Sequence, residues 1–156
     1  MTQESVITQE MQDAVGVESD PLTHDVERGA IIKFAEAIDD PNPLFNDEEA
    51  ARNTRYGGLI ASPTFLRSMP PGPLTVELPI PYPESLDGGS DWEYFGPVHP
   101  GDRITVTTKI ADLYERQGRL GNMLFIIYEI KYVNQFGSVV ALQRRTNIRY
   151  RPTEKS

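Results

Sequence analysis

Few side chains among these 156 residues could carry covalent or acid–base chemistry. There is no cysteine, which excludes disulfides, thiolate metal sites and a thiol nucleophile together. Two histidines, His24 and His99, are too few for a histidine-rich metal cage or a two-imidazole mechanism. The carboxylate with the most suggestive setting is Asp40, in the run Asp40-Pro41-Asn42-Pro43-Leu44-Phe45. One carboxylate can serve as a base. Asp ahead of Pro-Asn-Pro is also an ordinary turn former, and turn preference weighs the two readings about 2:1 toward structure. Asn42 suits a side-chain bond to the local backbone, and Phe45 a place in the core or in the wall of a tunnel. His24, beside acidic Asp25 and Glu27, and His99, in a tight turn, read as surface residues. Arg144, Arg145, Arg149 and Arg151 form a dense basic cluster. On a strand, Arg145, Arg149 and Arg151 share one face and Arg144 points the other way. Such a run is ordinarily a solvated outer face; its functional reading is a grip on phosphates or on an acidic partner. Arg116 and Arg119, in an expected hairpin loop, are similar candidates.

The elements that would hold these residues suit one domain spanning 1–156. Hydrophobic residues make up 38% of the chain and mean hydropathy is −0.42, and no apolar run approaches the roughly 18 residues that cross a bilayer. The start lacks the basic and apolar parts of a signal peptide, so the cytoplasm is the expected compartment. A net charge of −8 argues against nucleic acid, whose phosphates need a concentrated cationic footprint. Residues 1–6 are expected to be loose. A helix is expected over 7–15, capped by Thr8 and followed by Gly16, then a short strand over 22–26. Ile31, Phe34, Ala35 and Ile38 recur at helical spacing and predict a helix over 27–39, with Pro41 stopping it at Asp40. Asp47 would cap a short helix over 47–53. Ser62 and Pro63 suit the opening of a two-turn helix that Pro70-Pro71-Gly72-Pro73 ends. Six of the 13 prolines fall between 70 and 83. That predicts an extended loop over 70–89, lying over the sheet or a ligand site. Strands are expected over 91–98, 103–115, 121–134 and 138–150. Ile104 to Ile110 alternate, Leu124 to Ile127 run as a strand covered on both faces, and Trp92 and Tyr94 fit a buried strand face. Helices first and an antiparallel meander after them predict an α+β fold.

Phe34-Ala35-Glu36-Ala37-Ile38-Asp39-Asp40-Pro41-Asn42-Pro43-Leu44, followed by Asp47-Glu48-Glu49-Ala50-Ala51, resembles the hydratase motif of MaoC-like dehydratases. Gly57-Gly58-Leu59-Ile60-Ala61 with Pro63-Thr64-Phe65 is similar to the entry to their central helix, and Pro97-Val98-His99-Pro100-Gly101-Asp102 to the turn opening a long strand. The likeness runs from about Ile7 to Arg151 and is nearest to the N-terminal, degenerate FAS1-like dehydratase half. It implies a hot-dog fold, a long antiparallel sheet wrapped around a helix. Such sheets pair edge to edge with a thioester site between them, and the reaction is reversible syn hydration of a trans-2-enoyl thioester to the (R)-3-hydroxyacyl thioester.

That chemistry asks a carboxylate and an imidazole to hold one water and move its protons, and a backbone N–H to polarise the thioester carbonyl. In the family pattern D-x-N-P-x-H the histidine follows the carboxylate by five positions. Asp40 and Asn42 match, Asp40 in a vestigial or supporting part, but Phe45 stands at the histidine position. The N–H donor, placed by spacing from Ile60, falls on Pro63, which has none. The resemblance therefore implies an acyl-binding subunit of a heteromeric enoyl-thioester hydratase, whose partner, a second hot-dog chain, brings an intact Asp/His pair. Phe45, Gly58, Ala61, Ser62, Thr64 and Phe65 would contact substrate, and Arg116, Arg119, Arg145 and Arg149 would meet the phosphates of coenzyme A. Acyl-CoA is the expected small ligand; no cofactor, metal, nucleic acid or membrane is expected. The alternatives are a homodimeric thioesterase using Asp40 and a module that only binds acyl thioesters.

Overall fold

The computed structural model describes residues 4–153, so half of the expected loose start, residues 1–3, lies outside the described residues. Three short α-helices lie in the first third of the chain, with one strand between the first two: α1 (Gln9–Ala14), α2 (Arg28–Ala37) and α3 (Glu48–Arg52). The strands are β1 (Leu22–Asp25), β2 (Glu84–Tyr94), β3 (Arg103–Gly118), β4 (Gly121–Val133) and β5 (Val139–Tyr150). They form one antiparallel sheet in the order β1-β3-β4-β5-β2, with β2 as its long edge. The α+β class expected from the sequence is the class observed.

Pairing aligns Val106, Tyr132 and Ala141 across three strands, and Thr108, Ile130 and Gln143 across the next row. All six are buried, so the alternation from Ile104 to Ile110 does mark an inner face. The run Leu124–Ile127 alternates too. Leu124 and Ile126 are buried while Phe125 and Ile127 are only half-buried, which corrects the expectation of cover on both faces. Phe125 instead stacks on its cross-strand neighbour Tyr114 at 4.9 Å, so large side chains on the outer face shelter one another.

Two sets of segments cover the inner face. Ile31 and Phe34 of α2 pack with Phe65, Leu66 and Met69 against Ile104, Val106, Ile130 and Tyr132. The helix carrying Phe65 is a six-residue 3-10 helix, Pro63–Ser68. Proline opens it, Pro70 follows closely, and Ser68 Oγ donates to the Phe65 carbonyl. At the other end Met11 and Ala14 of α1 join Leu74, Val76, Leu78, Ile80 and Tyr82 against Ile110, Leu124 and Ile126. The proline-rich segment thus has a strand-like period without a ladder partner, with Thr75, Glu77 and Pro79 exposed between its apolar residues. His24, read as a surface residue, is half-buried and donates from Nε2 to the Pro70 carbonyl at 2.7 Å.

Several boundaries differ from expectation. The loop expected over 70–89 ends at Pro83, and the strand expected over 91–98 is Glu84–Tyr94. Past Pro83 every residue of β2 has an N–H to pair, but the glycines that accommodate its bulge between Asp87 and Ser90 disguise it as a loop. A Cβ on Gly88 would lie 2.7 Å from Thr146 Cγ2, and Gly89 has φ +102°. Helix α2 stops early because Asp39 turns left-handed at φ 56°, letting the Asp40 N–H reach the Ala35 carbonyl at 2.9 Å. Ile38 consequently leaves the apolar stripe and is 45% exposed. The chain is not loose at Ser5 and Val6, since Ser5 Oγ and the Val6 N–H both donate to the Glu115 carboxylate.

Within the basic cluster Arg144 and Arg145 are exposed, as expected of a solvated face, whereas Arg149 and Arg151 are engaged on the proline-rich segment. Arg149, paired with Leu124, lies on the same face of β5 as Gln143, and its Nε and Nη2 donate to the Tyr82 carbonyl at 3.2 and 2.8 Å. Arg151 Nη2 donates to the Pro81 carbonyl at 2.9 Å. The two guanidinium groups hold down a segment whose prolines remove its own backbone donors. Arg144, on the opposite face, pairs with Glu129.

Arg149→Lys replaces a two-pronged donor by a single ammonium. It should cost about 1–2 kcal/mol in urea unfolding and speed hydrogen exchange around Tyr82. Glu115 offers a pH test. Burial favours its neutral form, but hydrogen bonds from Ser5, the Val6 N–H and Asn122 outweigh that and hold its pKa below the ordinary 4.5. A depressed carboxyl stabilises the fold above its unfolded pKa, and the contribution is lost as pH falls through the folded value. Wild type should therefore lose stability between about pH 5 and pH 3 more steeply than Glu115→Gln, measured as Tm against pH.

Candidate functional site

The turn after α2 is held by its own side chains. Asp40 Oδ1 accepts from the Asn42 N–H, and Asn42 Oδ1 accepts from the Leu44 N–H, each at 3.0 Å. These bonds start the 3-10 turn Pro43–Phe45 and drive Phe45 inward, where it packs with Ala35 and Ile60. The segment leading to Ser62 is fixed from two sides: the Ile60 N–H donates to the Leu44 carbonyl and the Ala61 N–H to the Val98 carbonyl. Between these pieces and the end of β2 lies a cavity of about 630 Å³. Phe45, Ile60 and Leu66 form part of its apolar wall, and Tyr94, Phe95 and Val98 another part.

Asn42, Phe45, Ala61 and Ser62, four of the residues singled out in the sequence, line this cavity together, and so does Pro63. Asp40 is not among the lining residues; its carboxylate is engaged by the turn. Gly58 packs beside Glu48, Thr64 is exposed, and Phe65 is a core residue set edge-on to Phe34. None of the four phosphate candidates lines the cavity. Arg116 belongs to β3 rather than to a loop, opposite Met123, and lies over the Tyr114 ring. Arg119 is in the β3–β4 turn, and Arg145 lies over the Tyr128 ring at 5.1 Å. Arg149 holds the proline-rich segment. His99 is half-buried in its turn, with its N–H donating to Asp102.

Sequence reasoning missed Arg55, the charged member of the lining. Its Nη2 donates to Tyr56 Oη at 2.6 Å, and the guanidinium lies 4.8 Å from the same ring's centre. The signal was present as an Arg-Tyr pair ahead of Gly57-Gly58, but nothing local tells such a pair from a surface turn. Tyr94 is also reassigned. It stacks on Trp92 as a strand-face residue would, yet it is 44% exposed and lines the cavity. Burial raises the Tyr94 pKa and pushes that of Tyr132, beneath the same stack, to about 12. Both phenols stay protonated near neutrality, so they can donate hydrogen bonds but cannot serve as bases.

The cavity therefore offers an apolar wall, one cation and a few hydrogen-bonding groups, with no carboxylate–imidazole pair among its lining residues.

Comparison with known proteins bears on the family and the fold. The chain is 31% identical over 140 residues to the "Probable enoyl-CoA hydratase alpha subunit" of Thermomonospora curvata, covering 76% of this chain but only 43% of that relative. The crystal structure of the MaoC-like dehydratase from Rhodospirillum rubrum superposes with a TM-score of 0.70 at 28% identity, covering 92% of this chain and 98% of that one. A chain of the ChsH1–ChsH2 complex from Mycobacterium tuberculosis superposes with a TM-score of 0.79 at 21% identity, covering 94% and 91%. The fold is the hot dog that the resemblance implied, and the two-turn helix expected after Ser62 is present as a 3-10 helix.

Phe45 is 8% exposed, so Phe45→Ala should cost about 3 kcal/mol in chemical denaturation by leaving the wall incompletely filled. The family model for the FAS1-like dehydratase domain region matches residues 13–143, and with the sheet, the hydratase-type turn and the cavity in place, the chain belongs to that family.

Proposed function

We propose that this protein is the acyl-binding, non-catalytic subunit of a heteromeric enoyl-thioester hydratase acting on acyl-CoA in the cytoplasm. The observation that carries the reading is the lining of the cavity: Phe45 and Pro63 occupy it where the family pattern calls for an imidazole and for an N–H. Phenylalanine cannot move a proton and proline cannot donate one. What remains is an apolar enclosure suited to a hydrocarbon chain, with Arg55 as the candidate for a phosphate of coenzyme A.

The partner is a second hot-dog chain bearing an intact Asp/His pair. It joins at β2, the long edge of the sheet, whose terminal Tyr94 and the following Phe95 also border the cavity. An acyl group held in this chain then presents its double bond to the partner's water. The partner's base takes a proton from that water as its oxygen bonds to the β-carbon, the double-bond electrons shift toward the α-carbon and the thioester carbonyl, and a proton delivered to the α-carbon completes hydration. This chain's share is to exclude solvent and to orient the thioester. The autonomous thioesterase reading gains nothing from the structure, because Asp40 is held by the turn and does not line the cavity.

The purified chain alone should fail to hydrate crotonyl-CoA, and activity should appear when a hot-dog chain with an intact Asp/His pair is added. Turnover by the pure chain in the ordinary enzymatic range of about 1–1000 per second would contradict the subunit role.

A further inference from the structure

Among the described residues one buried side-chain oxygen or nitrogen lacks a hydrogen-bond partner: Ser62 Oγ. Ser62 is 3% exposed and lines the cavity. Buried hydroxyls are nearly always paired, because water's hydrogen bonds are forfeited on burial and nothing else replaces them. The position makes the omission sharper. Thr8, Asn42 and Asp47 precede helices in the same way, and each accepts a backbone N–H with its side chain. Ser62 precedes Pro63–Ser68 and makes no such bond. Its carbonyl is occupied by the Phe65 N–H and its neighbour Ala61 is tied to Val98, so the backbone beside the hydroxyl is anchored on both sides.

We infer that the Ser62 hydroxyl donates a hydrogen bond to the carbonyl oxygen of a bound acyl thioester, supplying from a side chain the donor that Pro63 lacks in its backbone. The inference rests on the acyl-binding reading above and adds to it the group that locates the thioester. A neutral hydroxyl suits an uncharged acceptor, and the one cation of the lining, Arg55, is bonded to Tyr56. Rotation about χ1 alone carries the hydroxyl among its three staggered positions, so meeting a ligand asks for no movement of the anchored backbone. The bond draws electron density toward the carbonyl oxygen and fixes the acyl group along the cavity, leaving proton transfer to the partner chain. Ser62 is thus a substrate-contacting residue and not an acid or base.

The test compares octanoyl-CoA with S-octyl-CoA, the thioether that lacks the carbonyl, by calorimetric titration of the full chain. Wild type should bind the thioester about tenfold more tightly than the thioether. Ser62→Ala should lose that preference while keeping its affinity for the thioether. Octanoyl-pantetheine, the portion shared by coenzyme A and acyl carrier protein, should show the same carbonyl dependence, and its affinity relative to octanoyl-CoA separates the two carriers. Infrared spectroscopy should find the bound thioester carbonyl stretch shifted to lower frequency in wild type and unshifted in Ser62→Ala. Ser62→Ala should also leave Tm unchanged or slightly raised, since it removes an unpaired buried hydroxyl; a fall of several degrees would mark a structural role and overturn the inference. Equal binding of thioester and thioether by wild type would overturn the inference alone. Failure of wild type to bind either ligand would overturn the acyl-binding reading and this inference with it. The ligand pair and the infrared band are both read on wild type, so the outcome does not depend on the variant folding.

Discussion

A helix confined between Pro63 and Pro70 cannot cover an inner face whose longest strand, β3, runs sixteen residues. The rest of the architecture answers that shortfall. Apolar inner-face residues beyond the helix, such as Ile110, Leu124 and Ile126, would otherwise meet water, so α1 and the proline-rich segment are recruited to cover them. A proline-rich segment cannot pin itself through its own N–H groups. The pinning comes from outside it, through Arg149 and Arg151 on its carbonyls and through His24 at its start. Two arginines of a run that reads as a cationic surface, Arg149 and Arg151, thereby serve as fasteners.

The same constraint governs polar groups under the sheet. Tyr132, Gln143 and Ser90 form a buried chain across β4, β5 and β2: the Tyr132 hydroxyl donates to Gln143 Oε1, and Gln143 Nε2 donates to Ser90 Oγ. A one-residue slip of β2 would strand Gln143, so the chain also holds the edge strand in register despite its glycine bulge. Around the cavity the pattern changes. The turn satisfies Asp40 and Asn42 locally, Arg55 and Tyr56 satisfy each other, and the Ser62 hydroxyl is left over. Among the described residues the one buried side-chain polar atom left unpaired lies beside an apolar cavity, where a ligand could complete it.

Much of the scaffold was legible in the chain. Period-two alternation over 104–110 and glycine turns at 101 and 137 mark strands because side-chain direction and positive φ are local properties. The caps Thr8 and Asp47 were legible for the same reason, since each bonds within three residues. β2 was misplaced because its bulge glycines look like a loop, and a strand with exposed edge positions carries little hydrophobic signal. Of the site, Asn42, Phe45, Ala61 and Ser62 were recognisable through a motif. Arg55 and Tyr94 were not, because each becomes part of the cavity only when segments about forty residues apart are brought together.

The sequence by itself determined the class of fold, the family, and the absence of an imidazole and of an N–H at two reacting positions. Those are statements about residue identity and local spacing, and no packing can alter them. Only the tertiary structure decided which arginines reach the proline-rich segment, that Asp40 stays out of the cavity lining, and that the Ser62 hydroxyl, among the described residues, goes unpaired. Hydrogen-bond partners and burial depend on contacts between distant segments, and those exist only once the inner face has been covered.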